Sequence, residues 1–345
     1  VRILYLPNEY SQQRQFQKKA NIYPVLMAAE ATYYRNEGHT VYWGDREFLK
    51  ITPHTGGEYY IYPQEDSYQY MKFDKIITRP EGLPFLSLPR PDRVLTRADT
   101  YTSGNYKYLP GTHMQVANGC FWGKCRFCAE QGIKYEVRGL EDVLMEIQIC
   151  QALGFREVFD DSGTFPIGGW LDDFCDGIKN IDIPISCNMR LVDLDYVRMR
   201  EAGFRMLLFG VESANQETLN KINKGTTTED IKYLIKASEA GLEPHITGMI
   251  GYDWETLEDT MRTINLFKYL LSRGYAKTAQ MSFYTPPKDQ EQGNEEYRKY
   301  VNKFYEVGFN PKFWYNKITD IKSVADIKYL LRGVKEGLCS IKIFS

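Results

Sequence analysis

No run in this sequence approaches the roughly 20 consecutive apolar residues that a membrane-spanning helix needs, although 43% of its 345 residues are hydrophobic. An excess of one charge is missing as well. Forty-three Lys and Arg stand against 45 Asp and Glu, a net charge of -2, which argues against a large electrostatic footprint for DNA, RNA or an anionic membrane. Histidine is scarce, with four in all, and cysteine is limited to seven. Of these, Cys150, Cys175, Cys187 and Cys339 sit singly in apolar or amphipathic contexts, as buried small hydrophobes do. Such usage suits a reducing compartment. The start, Val1-Arg2-Ile3-Leu4-Tyr5-Leu6, reads as a strand rather than a signal peptide. A cytoplasmic protein without a membrane partner is the expectation.

What the chain does have is Gly119-Cys120-Phe121-Trp122-Gly123-Lys124-Cys125-Arg126-Phe127-Cys128, three thiols that one short loop can turn toward a common centre. Met114-Gln115-Val116-Ala117-Asn118 before it reads as a buried strand, and Gly119 and Gly123 give the loop freedom to fold around something. Three thiolates suit zinc or an iron-sulfur cluster. A closed structural zinc site needs four ligands, commonly from two paired spacings, and the second pair is absent. A cubane on three thiolates leaves one iron open to a chelating small molecule. A reduced structural set of cysteines is the remaining alternative.

The rest of the pattern is α/β. Residues 2–8 read as a strand followed by a polar loop, residues 23–37 as a helix ended by Gly38, and residues 39–44 and 73–78 as two further strands. This predicts a small parallel α/β unit over residues 1–110. Its last part, from Arg79, is punctuated by Pro80, Gly82, Pro84, Pro89, Pro91, Gly104 and Pro110 and reads as a connector. From residue 111 to 288 short β-rich runs alternate with amphipathic helices. Strands are expected at 114–118, 157–159, 183–187, 206–211, 245–250 and 279–284, with helices at 140–153, 170–179, 193–202, 215–240 and 255–273. Six βα units make an open-sided barrel, whose reactive groups gather where the strands end. There stand the cysteine loop, Asp160-Asp161-Ser162-Gly163, Asn188-Met189-Arg190, Glu212-Ser213, Gly251 and Tyr284-Thr285-Pro286-Pro287. Residues 289–345 begin with a charged stretch and continue as helices with aromatic faces at Tyr297, Tyr300, Phe304 and Tyr305. They read as a cap on the open side, with Phe313-Trp314-Tyr315 as an alternative substrate entrance.

The cysteine loop resembles the Cys-x3-Cys-x2-Cys element of the radical SAM superfamily, with Phe127 in the aromatic position before the last cysteine. It is longer by one residue between Cys120 and Cys125. The resemblance covers residues 112–287, about half the chain, and implies a partial (β/α)6 radical SAM barrel. It further implies that Cys120, Cys125 and Cys128 ligate a [4Fe-4S] cluster and that Phe127 contacts the adenine of S-adenosylmethionine. Asp160, Asp161 and Ser162 stand where the family receives the methionyl amine, and Glu212 and Ser213 where it contacts ribose or methionine. Lys224 is placed to pair with the methionyl carboxylate, with Arg190 as a second candidate. Gly248-Met249-Ile250-Gly251 through Glu255 resembles the family's Gly-x-Ile-x-Gly-x-x-Glu element, and Tyr284 joins the same cofactor-binding set at the last strand end.

The implied activity is reductive cleavage of S-adenosylmethionine to a 5'-deoxyadenosyl radical that abstracts hydrogen from a small-molecule or peptide substrate. The electron would come from an external donor such as flavodoxin or ferredoxin. The front unit resembles the first half of a Rossmann-like cobalamin-binding domain, so a cobalamin-dependent methyltransferase is the alternative. No Asp-x-His-x-x-Gly supplies a lower axial histidine, and His39 and His54 are isolated; cobalamin is the less favoured cofactor. A reading of another class, a non-catalytic zinc-bound or metal-free scaffold, rests on the extra loop residue.

Overall fold

The structure, a computed structural model, describes residues 1–5, 23–44, 49–51, 59–64, 67–71, 73–77, 79–101, 103–284 and 299–344. The expected strand residues Leu6, Pro7, Asn8 and Thr78, the isolated His54, the segment Thr285-Pro286-Pro287 and the charged stretch through Tyr297 lie outside the described residues. The chain divides into two compact units, one of residues 1–103 with 110–115 and one of residues 104–109 with 116–345.

The first unit opens with β1 (Arg2–Tyr5), α1 (Val25–Asn36) and β2 (Thr40–Trp43). Met27, Ala28 and Ala31 bury one face of α1, and Gly38, at φ 86°, takes the left-handed conformation that ends it. A meander not anticipated from the sequence follows, β3 (Leu49–Ile51), β4 (Tyr59–Gln64) and β5 (Ser67–Met71), paired antiparallel. Then β6 (Lys75–Ile77) joins β1 and β2 in a parallel sheet of order β2-β1-β6. The connector is held by specific bonds. The buried Glu30 carboxylate accepts from the backbone N–H of Glu81 and Gly82, and Arg93 donates to the Thr112 hydroxyl and the His113 carbonyl. Burial, then the neighbouring Arg93, pushes the His113 imidazole down to about 3.

The remaining elements are β7 (Gly111–Met114), β8 (Ala117–Asn118), β9 (Glu136–Val137), α2 (Leu140–Ala152), β10 (Glu157–Asp160), α3 (Gly169–Gly177), β11 (Ile185–Met189), α4 (Tyr196–Glu201), β12 (Phe204–Glu212), α5 (Gln216–Lys221), α6 (Ile231–Glu239), β13 (Glu243–Ile250), α7 (Leu257–Ser272) and β14 (Thr278–Phe283). They are followed by α8 (Lys299–Tyr305), α9 (Pro311–Thr319) and α10 (Val324–Phe344). One six-stranded sheet runs β14-β13-β12-β11-β10-β7, with every pair from β10 to β14 parallel. Curled and flanked by helices, it is the partial barrel that the alternating pattern predicts.

The first expected strand is corrected. Residues 114–118 do not form one strand, because β7 ends at Met114 while Ala117 and Asn118 pair antiparallel with β9. The cause is local: Asp160 and Ser162 accept from the backbone N–H of Val116, and Ser162 also from that of Ala117, which draws the chain out of the sheet. Three other boundaries shift inward. Asp160 belongs to β10, Asn188 and Met189 belong to β11, and Glu212 is the last residue of β12, so these side chains sit at the strand ends rather than after them.

At the opposite end of the sheet, Arg205 lies between Glu157 (2.5 Å) and Glu243 (2.6 Å), and Lys107 joins Glu243 (2.7 Å) to Asp326 of α10 (2.5 Å). Charges so deeply placed are tolerable only because each is paired. In α8, Phe304 is buried and meets Phe267 of α7 edge-on at 6.0 Å. Tyr315 on α9 is exposed.

Candidate functional site

The loop of residues 119–128 leaves β8 and returns along the strand ends. Gly119 and Gly123 have φ of 72° and 58°, and an alanine at either would crowd backbone carbonyls of the loop's own surroundings. Cys120, Cys125 and Cys128 are free thiols, Cys125 the most buried. Burial raises the Cys128 thiol above its ordinary range; the backbone N–H of Glu130 opposes this, and the neighbouring Cys125 and Cys120 add to it. Burial raises Cys125 too, opposed by the cations of Lys224 and Arg190.

These two cations sit at the ends of β11 and just beyond α5. Arg190 Nη1 is 3.9 Å from Cys125 Sγ, and Lys224 Nζ is 2.8 Å from Glu212 Oε1. Glu212 reaches it from a left-handed backbone (φ 65°) at an irregularity in the pairing of β12 with β13. Lys224 also lies 5.7 Å over the Phe127 ring. Phe127 packs in turn against the cluster of Leu219, Ile222, Tyr252 and Tyr284, where the Tyr252 and Tyr284 rings are 4.5 Å apart. Cys125, Phe127, Arg190, Glu212, Lys224 and Tyr284 are thus brought into one region.

The other sequence-selected residues serve mainly the chain itself. Asp160 is wholly buried, one oxygen accepting from Val116 N–H and the Ser162 hydroxyl while Oδ2 has no partner among the described residues. Its carboxyl is pushed up to about 7, chiefly by burial. Asp161 beside it is exposed. The Ser213 hydroxyl donates to Glu255 and shares a bond with Thr263. Gly248 and Gly251 have the faces from which a Cβ would project filled by Phe267 and Phe283, at 2.4 and 2.3 Å from that position, and Ile250 between them is fully buried. Backbone space at these glycines is taken up by the chain's own rings on that side.

Several residues escaped the sequence reading. Tyr135, pushed up to about 12 by burial and then by Asp160 and Cys120, marks a link between the cysteine loop and β10. Trp122 seats its indole on Gly225. The signal for Trp122 was present, a large aromatic in the loop's extra length; nothing in the sequence said where it would dock.

The donor chemistry fits an iron-sulfur cluster: three free thiols on one loop, with Arg190 and Lys224 opposing the upward push that burial gives Cys125. Among the described residues no group of three or more His, Cys, Asp or Glu is arranged to hold a metal ion as it stands. The thiols share a loop without being gathered into a closed tetrahedral set.

Residues 114–267 match the model of the radical SAM superfamily. Over that stretch, somewhat under half of its length, the chain is similar to the radical SAM superfamily. Among curated relatives, an uncharacterized methyltransferase of Pyrococcus horikoshii is 25% identical over 202 residues, 53% of this chain and 41% of the relative. The anaerobic magnesium-protoporphyrin IX monomethyl ester cyclase of Rubrivivax gelatinosus is 24% identical over 230 residues, 61% of this chain and 40% of the relative. The match spans about two fifths of the length of either. Similar solved structures include the radical S-adenosylmethionine methyltransferase TsrM of Kitasatospora setae, with a TM-score of 0.47, 18% identity, and coverage of 65% of this chain and 45% of that one. The cobalamin-dependent radical enzyme OxsB has a TM-score of 0.46, 13% identity, and coverage of 90% and 46%. The match supports an enzyme of the radical SAM type, and among the described residues no helix is long and apolar enough to cross a membrane.

Proposed function

We propose that this enzyme cleaves S-adenosylmethionine reductively, with Cys120, Cys125 and Cys128 holding a [4Fe-4S] cluster, and that the resulting 5'-deoxyadenosyl radical abstracts hydrogen from a small-molecule or peptide substrate. The observation that carries this is the set of three free thiols on one loop, with Arg190 and Lys224 beside it at the strand ends of a barrel whose residues 114–267 match the radical SAM model. When bound, the cluster supplies one electron to the sulfonium, whose carbon-sulfur bond breaks to methionine and the primary carbon radical.

The chain's own residues would orient the cosubstrate. Phe127, Tyr252 and Tyr284 offer an apolar wall for adenine, backed by Ile250 and the strand end at Gly248 and Gly251. By the family resemblance, Glu212 and Ser213 would contact the ribose or methionine, and Asp160, Asp161 and Ser162 would receive the methionyl amine, although Asp160, Ser162 and Ser213 are also bonded within the chain. Lys224 is already neutralised by Glu212, so a carboxylate ligand would share that ammonium rather than find it unpaired. Burial around Tyr252 and Tyr284 excludes water, which a primary radical requires of its surroundings. The electron donor is an external carrier of the flavodoxin or ferredoxin class.

Anaerobic reconstitution with iron and sulfide, followed by dithionite and S-adenosylmethionine, tests this reading. Formation of 5'-deoxyadenosine is expected; a cluster-loaded chain that forms none overturns it.

A second reading is cobalamin-dependent methyl transfer. Two observations favour it: the printed name of the Pyrococcus relative, a methyltransferase, and the parallel β2-β1-β6 sheet with α1, the beginning of a Rossmann-like unit. Expression with cobalamin supplied separates the two. Corrinoid absorbance that copurifies with the chain supports methyl transfer, and its absence leaves hydrogen abstraction.

A further inference from the structure

We propose that the turn of residues 222–225 is a clasp that fixes the position of the cysteine loop, with Trp122 and Arg190 as the positioning residues it grips. This rests on the reading of Cys120, Cys125 and Cys128 as cluster ligands. Three successive carbonyls of the turn each take a donor associated with the loop. Ile222 O accepts from the Arg126 backbone N–H (3.0 Å), Asn223 O from the Trp122 indole N–H (2.8 Å), and Lys224 O from the Arg190 guanidinium.

These carbonyls follow the end of α5, where a helix leaves acceptors without intrahelical donors. Asn223 and Gly225 have φ of 54° and 67°, and this left-handed path carries the carbonyls out of the helical direction. Gly225 is required for a further reason: a Cβ there would lie 2.1 Å from Trp122 Cζ2, so the indole rests directly on the backbone. Arg190 completes the arrangement from the sheet. Its guanidinium lies 5.1 Å over the Trp122 ring and 6.0 Å over the Phe121 ring, with Nη1 3.9 Å from Cys125 Sγ.

A clasp answers a specific difficulty. Four residues separate Cys120 from Cys125, and Gly123 among them has a left-handed backbone, so the loop does not fix the spacing of its thiols by itself. Trp122 lies in that stretch and is the side chain that anchors it. Arg190 is committed to Lys224 O and the aromatic rings, so it acts on the loop rather than as a ready partner for a ligand carboxylate.

The test uses the full chain, first without cluster. Trp122→Phe keeps the ring and removes the indole donor, and Gly225→Ala puts a methyl where the ring sits. Amide hydrogen exchange of peptides spanning residues 120–128 should accelerate about tenfold in both, with β10 to β14 unchanged. Trp170→Phe, which loses an indole bond to the Arg138 carbonyl outside the clasp, should leave the loop at the wild-type rate. After reconstitution, Arg190→Gln should move the cluster midpoint potential to more negative values and Arg190→Lys should restore it, since a cation beside the thiolate favours the reduced state. Loop exchange unchanged in Trp122→Phe and Gly225→Ala, or a potential indifferent to Arg190→Gln, overturns the clasp. A wild-type chain that takes up no cluster while the variants still loosen the loop contradicts the proposed activity and leaves the clasp standing.

Discussion

Lys224 Nζ stands 2.8 Å from Glu212 Oε1 across the backbone of Gly210, where a Cβ would come within 2.4 Å of that oxygen and 2.6 Å of that nitrogen. The ion pair and the glycine are therefore one feature of β12. Both charged groups are nearly removed from water, so each depends on the other. Lys224→Met should cost about 3 kcal/mol or more in urea unfolding. The Glu212→Leu, Lys224→Met double variant should lose less than the sum of the singles, by at least about 1 kcal/mol. Additive losses would show the pair to be uncoupled.

Glu255 accepts from Ser213 and Thr218 on one oxygen while the other has no partner among the described residues. Its carboxyl is pushed up to about 7, first by burial. The folded chain therefore holds this proton more tightly than the unfolded chain, and the resulting stability is present below the ordinary value near 4.5 and is lost as pH rises toward 7. Over that window the group lowers unfolding free energy by at most about 1.4 kcal/mol per pH unit. Urea titrations at several pH values should show a shallower decline for Glu255→Gln than for wild type; equal slopes would remove Glu255 as the cause.

Gly251 combines a left-handed backbone (φ 89°) with a Phe283 ring 2.3 Å from where its Cβ would be. Gly251→Ala should lower stability by about 2–3 kcal/mol, from overpacking and backbone strain together. Adding Phe283→Leu should recover the packing part and leave the strain. Thermal unfolding of the two variants measures this, and an unchanged midpoint in Gly251→Ala contradicts it.

Arg205 is the only cation within 4 Å of Glu157 among the described ion pairs and shares Glu243 with Lys107. Arg205→Met should destabilise by roughly 3–5 kcal/mol, because it removes the cation paired with a fully buried carboxylate that keeps only neutral donors, Lys107 N–H, Tyr108 N–H and the Ser186 hydroxyl. Arg205→Lys should recover only part of the loss, since one ammonium does not reproduce the fork that also donates to the Asn105 carbonyl. Chemical denaturation of the two variants distinguishes these outcomes.

The barrel was legible because buried parallel strands and amphipathic helices have different periods, and residues 157–283 repeat the alternation without interruption. The meander of β3 to β5 was not foreseen; it lies between the two legible strand runs 39–44 and 73–78, and neither pattern continues through it. The break after Met114 was hidden for another reason: Val116 and Ala117 look like strand residues, and only the three-dimensional position of Asp160 and Ser162 shows their N–H groups bonded elsewhere. At the site, residue types announced the chemistry but not the pairings. Lys224 read as the carboxylate partner with Arg190 as a second candidate, and the geometry gave the first to Glu212 and the other to the turn beside the cysteine loop.

The open-iron cluster is tested most directly by metal and sulfide analysis of anaerobically reconstituted chain, joined to EPR of the reduced protein before and after S-adenosylmethionine. About four irons and four sulfides per chain are expected, with a spectrum that changes when S-adenosylmethionine is added, and loss of the signal in Cys120→Ala, Cys125→Ala and Cys128→Ala. Zinc in place of iron, or a cluster spectrum unmoved by S-adenosylmethionine, would contradict it.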